Sequence, residues 1–137
     1  MVFDGGLLYR GGRGNADVND VPIIAIVDDD PSLRRSLLRI VHSAGYRGEA
    51  FADGRELLDW LPSGRAACVV LDVHLPGLSG FDIQERIDVP IVFITAHDDI
   101  ATRVRMERSG ASGLLHKPFE ATTLLEAIRR SLGTTPT

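Results

Sequence analysis

Val69-Val70-Leu71-Asp72 is a short apolar run that ends on a carboxylate, and the same arrangement recurs along the chain. Ile24-Ala25-Ile26-Val27 runs into Asp28-Asp29, Ile91-Val92-Phe93-Ile94 into Thr95, and Leu114-Leu115 into His116-Lys117-Pro118. Runs of this length between helix-like segments read as buried parallel strands, because a strand covered on both faces needs no polar alternation. In open α/β sheets, ligands bind outside the carboxyl ends of the strands. If the runs are neighbours in one sheet, Asp28, Asp29, Asp72, Thr95 and Lys117 converge. Carboxylates, a hydroxyl and an ammonium at one point suit a divalent cation and a phosphoryl group.

Working outward, the alternation is regular from Val21. A first strand at about 22–27 leads to a helix with Pro31 in its first turn and Asp29 or Asp30 as its cap. Leu33, Leu37, Ile40, Val41 and Ala44 form its buried stripe, and Gly45 ends it. Tyr46 to Phe51 reads as a more polar edge strand. A second helix from about Asp53 to Leu61 turns Leu57, Leu58 and Leu61 inward and stops at Pro62-Ser63-Gly64. The third strand is about 67–71, and a short helix near 79–86 follows His74-Leu75-Pro76-Gly77. Ile91 to Ile94 is the fourth strand, with a helix over about 98–109 ending at Gly110. Leu114 to His116 is the fifth strand. The last helix starts near Phe119 and puts Leu124, Leu125, Ile128 and Leu132 on one face. This order predicts an α/β, doubly wound parallel sheet with right-handed crossovers.

The 137 residues suit one domain, expected over 21–132, between a glycine-rich flexible tail at 1–20 and a short end or linker start at 133–137. Gly12-Arg13-Gly14 does not make a nucleotide-binding loop, since no further glycine or strand–helix unit surrounds it. The chain is 44% hydrophobic and 25% charged, with a formal net charge of −4. That balance favours neither nucleic acid nor an anionic membrane as a partner. No run is long enough to span a membrane, and the first residues lack a signal-peptide pattern. The lone Cys68 excludes an internal disulfide and reads as a buried thiol. A cytoplasmic location is the expectation.

Each candidate residue has a plain reading alone. Asp28 and Asp29 could cap a helix, Thr95 could simply favour a strand, and Lys117 could be a surface lysine. Asp72 is harder to dismiss, because burying an unpaired carboxylate is costly. A nearby metal and Lys117 would keep it ionised as a nucleophile.

The combination of Val27-Asp28-Asp29, Leu71-Asp72 with Pro76-Gly77-Leu78-Ser79-Gly80, Ile94-Thr95-Ala96 and Lys117-Pro118-Phe119 resembles a response-regulator receiver domain of two-component signalling. The match covers about residues 22–132. Phe93-Ile94-Thr95-Ala96-His97-Asp98-Asp99 and His116-Lys117-Pro118-Phe119-Glu120 look most like nitrogen-fixation and LuxR-type regulators. The resemblance implies a flavodoxin-like five-stranded sheet of order 2-1-3-4-5 with five helices. It implies that Asp72 accepts a phosphoryl group from a sensor histidine kinase. Mg²⁺ would be held by Asp29, Asp72 and the backbone carbonyl of His74, with Asp28 acting through water. Thr95 and Lys117 would bind phosphoryl oxygens, and the Lys117–Pro118 bond would be cis. The surface of helix four, strand five and helix five would then switch an output, with transcription the expected one.

The chain departs from the pattern in two places. Leu114 stands where receivers usually carry Tyr or Phe, so either it fills the gap behind Thr95 or it is a plain core residue. The stretch from Gly80 to Pro90 is short, which predicts a stunted third helix and a tight return through Asp88. His74 and His97 read either as exposed loop histidines or as residues that tune phosphoryl lifetime.

Two other functions use the same residues. A haloacid-dehalogenase-type phosphatase would also use an aspartate nucleophile, but His74 occupies the place of its second Asp. A receiver fold could also signal as a binding module without phosphorylation. Arg103, Arg105, Glu107, Arg108, Glu120, Glu126, Arg129 and Arg130 give a mixed-charge face suited to a homodimer. The end near Thr137 is compatible with a stand-alone receiver or with a longer regulator carrying a DNA-binding domain.

Overall fold

Alternate residues of the central strands serve two cores. Ile24, Ile26, Val70, Val92 and Ile94 belong to one, and Ala25, Val27, Val69, Leu71 and Phe93 to the other. Such strands must be covered on both faces, which is why they carry no polar face. A computed structural model describes residues 21–133, and the elements and statements below concern that span. They are β1 (Ile23–Val27), α1 (Pro31–Ser43), β2 (Arg47–Phe51), α2 (Gly54–Gly64), β3 (Cys68–Asp72), α3 (Gly80–Gln84), β4 (Ile91–Thr95), α4 (Ile100–Arg108), β5 (Gly113–His116) and α5 (Ala121–Ser131). All pairings are parallel and the sheet order is β2-β1-β3-β4-β5, as expected. The expected tail at 1–20 and most of the end at 133–137 lie outside the described residues.

Leu37 and Val41 of α1 and Leu124 and Ile128 of α5 close the first core. Leu57 of α2, Phe81 and Ile83 of α3 and Met106 of α4 close the second. Burying each such side chain stabilises the fold by about 1.5–3 kcal/mol. Asp30, rather than Asp29, caps α1, accepting from the N–H groups of Ser32 and Leu33. That leaves Asp29 for another role. Cys68 is buried, and burial pushes its thiol up to about 11 despite a hydrogen bond from Ser131, so it is unreactive near neutrality.

Four expectations need correction. Ala44 is exposed, because it lies at the C-cap of α1 after the stripe has ended. Helix α2 runs through Pro62 to Gly64. Proline there removes one helical hydrogen bond close to the terminus, and the helix ends only at Arg65, in the left-handed region at φ 61°. Gly64 is needed there, since a Cβ would lie 2.0 Å from the Trp60 indole. The third correction is Leu114, which does not join the core. It is 36% exposed, because β5 is an edge strand and Leu115 takes the inward position. The fourth concerns α3, which is short as expected but spans only Gly80–Gln84, ending before Arg86. Ser79 and Asp82 form a reciprocal capping box that fixes its start.

Candidate functional site

At the carboxyl end of β1 the chain turns through three aspartates with different fates. Asp28 has no exposed surface. Its Oδ1 accepts from the N–H of Asp30 at 2.9 Å, and its Oδ2 accepts from the Lys117 ammonium at 2.7 Å. A buried carboxylate needs its oxygens occupied in this way. The Arg34 guanidinium donates to the Asp28 carbonyl at 2.7 Å, tying α1 to the strand end. Asp29 is exposed.

Asp72 ends β3 and is buried. Its Oδ1 accepts from the N–H of His74 at 3.0 Å, and its Oδ2 accepts from Lys117 at 3.1 Å. Burial pushes this carboxyl above the usual carboxylate range. The His74 N–H and the Lys117 charge pull against that, and the Asp28 charge adds to it. Lys117 responds the other way. Burial lowers its pKa, but the Asp28 hydrogen bond and the charges of Asp72 and Asp28 outweigh it, and the ammonium is held above its ordinary value. A single ammonium thus serves two buried carboxylates, with a third carboxyl group, that of Asp29, beside them.

One carboxylate oxygen from each of Asp28, Asp29 and Asp72 lies within 4.8 Å of the other two, the one such group among the described residues. An all-oxygen donor set fits a hard divalent cation such as Mg²⁺. Sheet order explains the convergence. β1 and β3 are adjacent, β4 follows, and β5 delivers Lys117 from the far side.

Ile94 is paired with Asp72 across β3 and β4, so Thr95 stands one residue beyond it at the same end of the sheet. Thr95 is fully buried, and its Oγ1 accepts from the N–H of His97 at 3.0 Å. The Lys117 N–H donates to the Thr95 carbonyl at 2.7 Å. The Lys117–Pro118 bond is cis. Beside Lys117 opens a groove of about 490 Å³, mostly apolar, with Leu33, Leu37, Pro118 and Phe119 in its walls.

His74 and His97 are exposed, in line with the plainer expectation for them. They are not independent, however, for their ring centroids are 3.7 Å apart. Each backbone N–H is engaged by a site side chain, that of His74 by Asp72 and that of His97 by Thr95. Sequence reading foresaw neither this contact nor the Arg34 bond, because both join segments with no local pattern linking them.

The model of the response regulator receiver domain matches residues 24–129. Nodulation protein W of Bradyrhizobium diazoefficiens is 42% identical over 125 residues, covering 88% of this chain and 55% of that protein. Transcriptional regulatory protein FixJ of the same organism is 36% identical over 114 residues, covering 80% of this chain and 56% of that protein. The chain thus spans about half the length of these curated relatives. A response regulator receiver protein from Burkholderia phymatum superposes with a TM-score of 0.75 at 38% identity, covering 83% of this chain and 97% of that one.

Proposed function

The chain belongs to the response regulator receiver domain family of two-component signalling, and on that footing we propose that Asp72 accepts a phosphoryl group from the phosphohistidine of a sensor kinase. The observation that carries this reading is Lys117, placed between two buried carboxylates beside a third at the carboxyl end of a parallel sheet. Asp29, Asp72 and the His74 carbonyl would hold Mg²⁺, with Asp28 contributing through water. When bound, the ion neutralises charge on the transferring phosphoryl oxygens.

The chain's own residues do the rest. An Asp72 carboxylate oxygen forms the new O–P bond while the P–N bond to the donor imidazole breaks. The imidazole nitrogen keeps the bonding pair and takes a proton from solvent. Lys117 then gives up Asp72 Oδ2 for a phosphoryl oxygen. The Thr95 hydroxyl, which only accepts from His97, has its own hydrogen to donate to another phosphoryl oxygen. Transfer of this kind relies on positioning and charge more than on acid–base chemistry.

The new phosphate adds about −1.5 to −2 charges, if an aspartyl phosphate resembles other phosphates. It biases the face formed by α4, β5 and α5, where Ile100, Val104 and Leu114 are exposed. Homodimerisation through this face and an output in transcription complete the reading, the latter supported by the name of the FixJ relative. The protein then works in the cytoplasm; among the described residues no helix is long and apolar enough to cross a membrane.

The test is transfer from an autophosphorylated sensor-kinase core in Mg²⁺. Label should move to this chain in a hydroxylamine-labile form and be abolished in Asp72→Asn. Equal labelling of that variant would refute the assignment.

A further inference from the structure

Leu114 stands where receivers usually carry Tyr or Phe, and it is exposed. A route to the phosphoacceptor is built into the opposite side of α4. Among the described residues, α4 buries only Met106, so few apolar contacts hold it down. Its other anchors lead to α3. The Arg105 guanidinium lies 4.2 Å from the centroid of the Phe81 ring. At the end of α4, the Ser109 carbonyl accepts from the Gln84 side-chain amide at 2.9 Å.

Helix α3 is in turn seated on the phosphoacceptor. Its first residue, Gly80, donates its N–H to the Val73 carbonyl at 2.8 Å. The position a Gly80 Cβ would take lies only 2.8 Å from the Asp72 carbonyl oxygen. Phe81 follows, with its ring edge-on to Phe93 of β4 at 5.2 Å. With only five residues, α3 has little length over which to absorb a displacement. A shift of the loop after Asp72 therefore reaches Phe81 and Gln84 directly.

We propose that Phe81 and Gln84 of the shortened α3 latch α4 through Arg105 and Ser109, and that this latch carries the phosphorylation signal to α4 in place of an aromatic at position 114. The latch rests on the phosphoacceptor reading given above. Arg105 and Gln84 are positioning residues, since neither reaches the reacting atoms. A cation over an aromatic face is a modest interaction, so it biases α4 by severalfold instead of locking it.

Amide hydrogen exchange over residues 100–108 tests this in the full chain, with and without Mg²⁺ and beryllofluoride, a stable phosphoryl mimic. In wild type, loading should change α4 exchange. In Arg105→Gln and Gln84→Ala, unloaded α4 should exchange faster, and the change on loading should fall by about threefold or more. Arg105→Lys keeps a cation on the Phe81 ring and should retain most of the change, which loss of packing alone would not predict. Thermal melts of the variants identify any that fail to fold, and Phe81→Leu serves as a second disruption of the same contact. A loading effect in Arg105→Gln and Phe81→Leu equal to that of wild type would overturn the latch. So would phosphorylation of wild type at Asp72 with no change in α4, and in either case the phosphoacceptor reading would stand. Absence of any Asp72 phosphorylation in wild type would overturn both.

Discussion

Lys117 donates to Asp28 at 2.7 Å across 89 residues of sequence, although Asp28 has no exposed surface at all. The pair closes the sheet end from both sides, because Lys117 directly follows β5 and Asp28 directly follows β1. Removing the cation leaves a buried charge without its partner. Lys117→Met should cost about 3–5 kcal/mol in metal-free buffer. Mg²⁺ should recover more stability in the variant than in wild type, since it neutralises the same carboxylates. Urea melts with and without Mg²⁺ measure both quantities, and equal Mg²⁺ increments would contradict this reading of the cluster.

The Asp72 carboxyl lies above the ordinary range, chiefly because it is buried. A raised value means that the folded protein keeps this proton to higher pH than the unfolded chain does. The associated stability is complete below about pH 3.9 and is lost as pH rises through the folded value. Asp72→Asn removes that loss. Without Mg²⁺, its stability relative to wild type should therefore grow as pH rises from 4 toward 7. With saturating Mg²⁺ the ranking should narrow or reverse, since wild type gains more from the ion. A pH-independent difference in denaturation midpoints would count against the shift.

Gly80 has no room for a side chain, for a Cβ would stand 2.8 Å from the Asp72 carbonyl oxygen and 2.9 Å from the Val73 Cα. Backbone atoms cannot step aside as a flexible side chain can. Gly80→Ala should cost about 1–3 kcal/mol and slow phosphorylation, because the displaced atoms belong to Asp72. Gly77 offers the contrast: it has φ +77° with open space around it. Gly77→Ala should cost about 1–2 kcal/mol through backbone strain while affecting the phosphorylation rate less. Melts combined with phosphodonor kinetics separate the two.

The His74 and His97 rings meet at 3.7 Å, each two residues beyond a site residue, Asp72 and Thr95. Truncating one ring should admit water more readily. His97→Ala should therefore lose its phosphoryl group severalfold faster than wild type, measured by the decay of the phosphorylated mass after donor removal. Superimposable decays would show that the rings are merely exposed.

Much of this was legible because apolar runs ending in reactive residues report strand ends directly. Asp28, Asp72, Thr95 and Lys117 could be aligned from the sequence alone, since sheet order turns sequence order into proximity. The errors came where tertiary context overrides local signals. Pro62 reads as a breaker, but a proline near the end of α2 removes little that the helix needs. Leu114 reads as core, but an edge strand beside a lightly anchored helix leaves it partly exposed. The division of labour among Asp28, Asp29 and Asp30 was open in sequence and depended on which carboxylate the N–H groups of α1 engage. The Arg105–Phe81 and Gln84–Ser109 contacts join α3 to α4, and nothing local in the sequence pairs those positions.

Intact-mass measurement after incubation with Mg²⁺ and a small phosphodonor such as phosphoramidate tests the central claim most directly. Wild type should gain the mass of one phosphoryl group, mapped to Asp72, with the gain abolished by chelating the metal and in Asp72→Ala. No gain with a competent donor or a cognate kinase, or a gain that survives Asp72→Ala, would contradict the account.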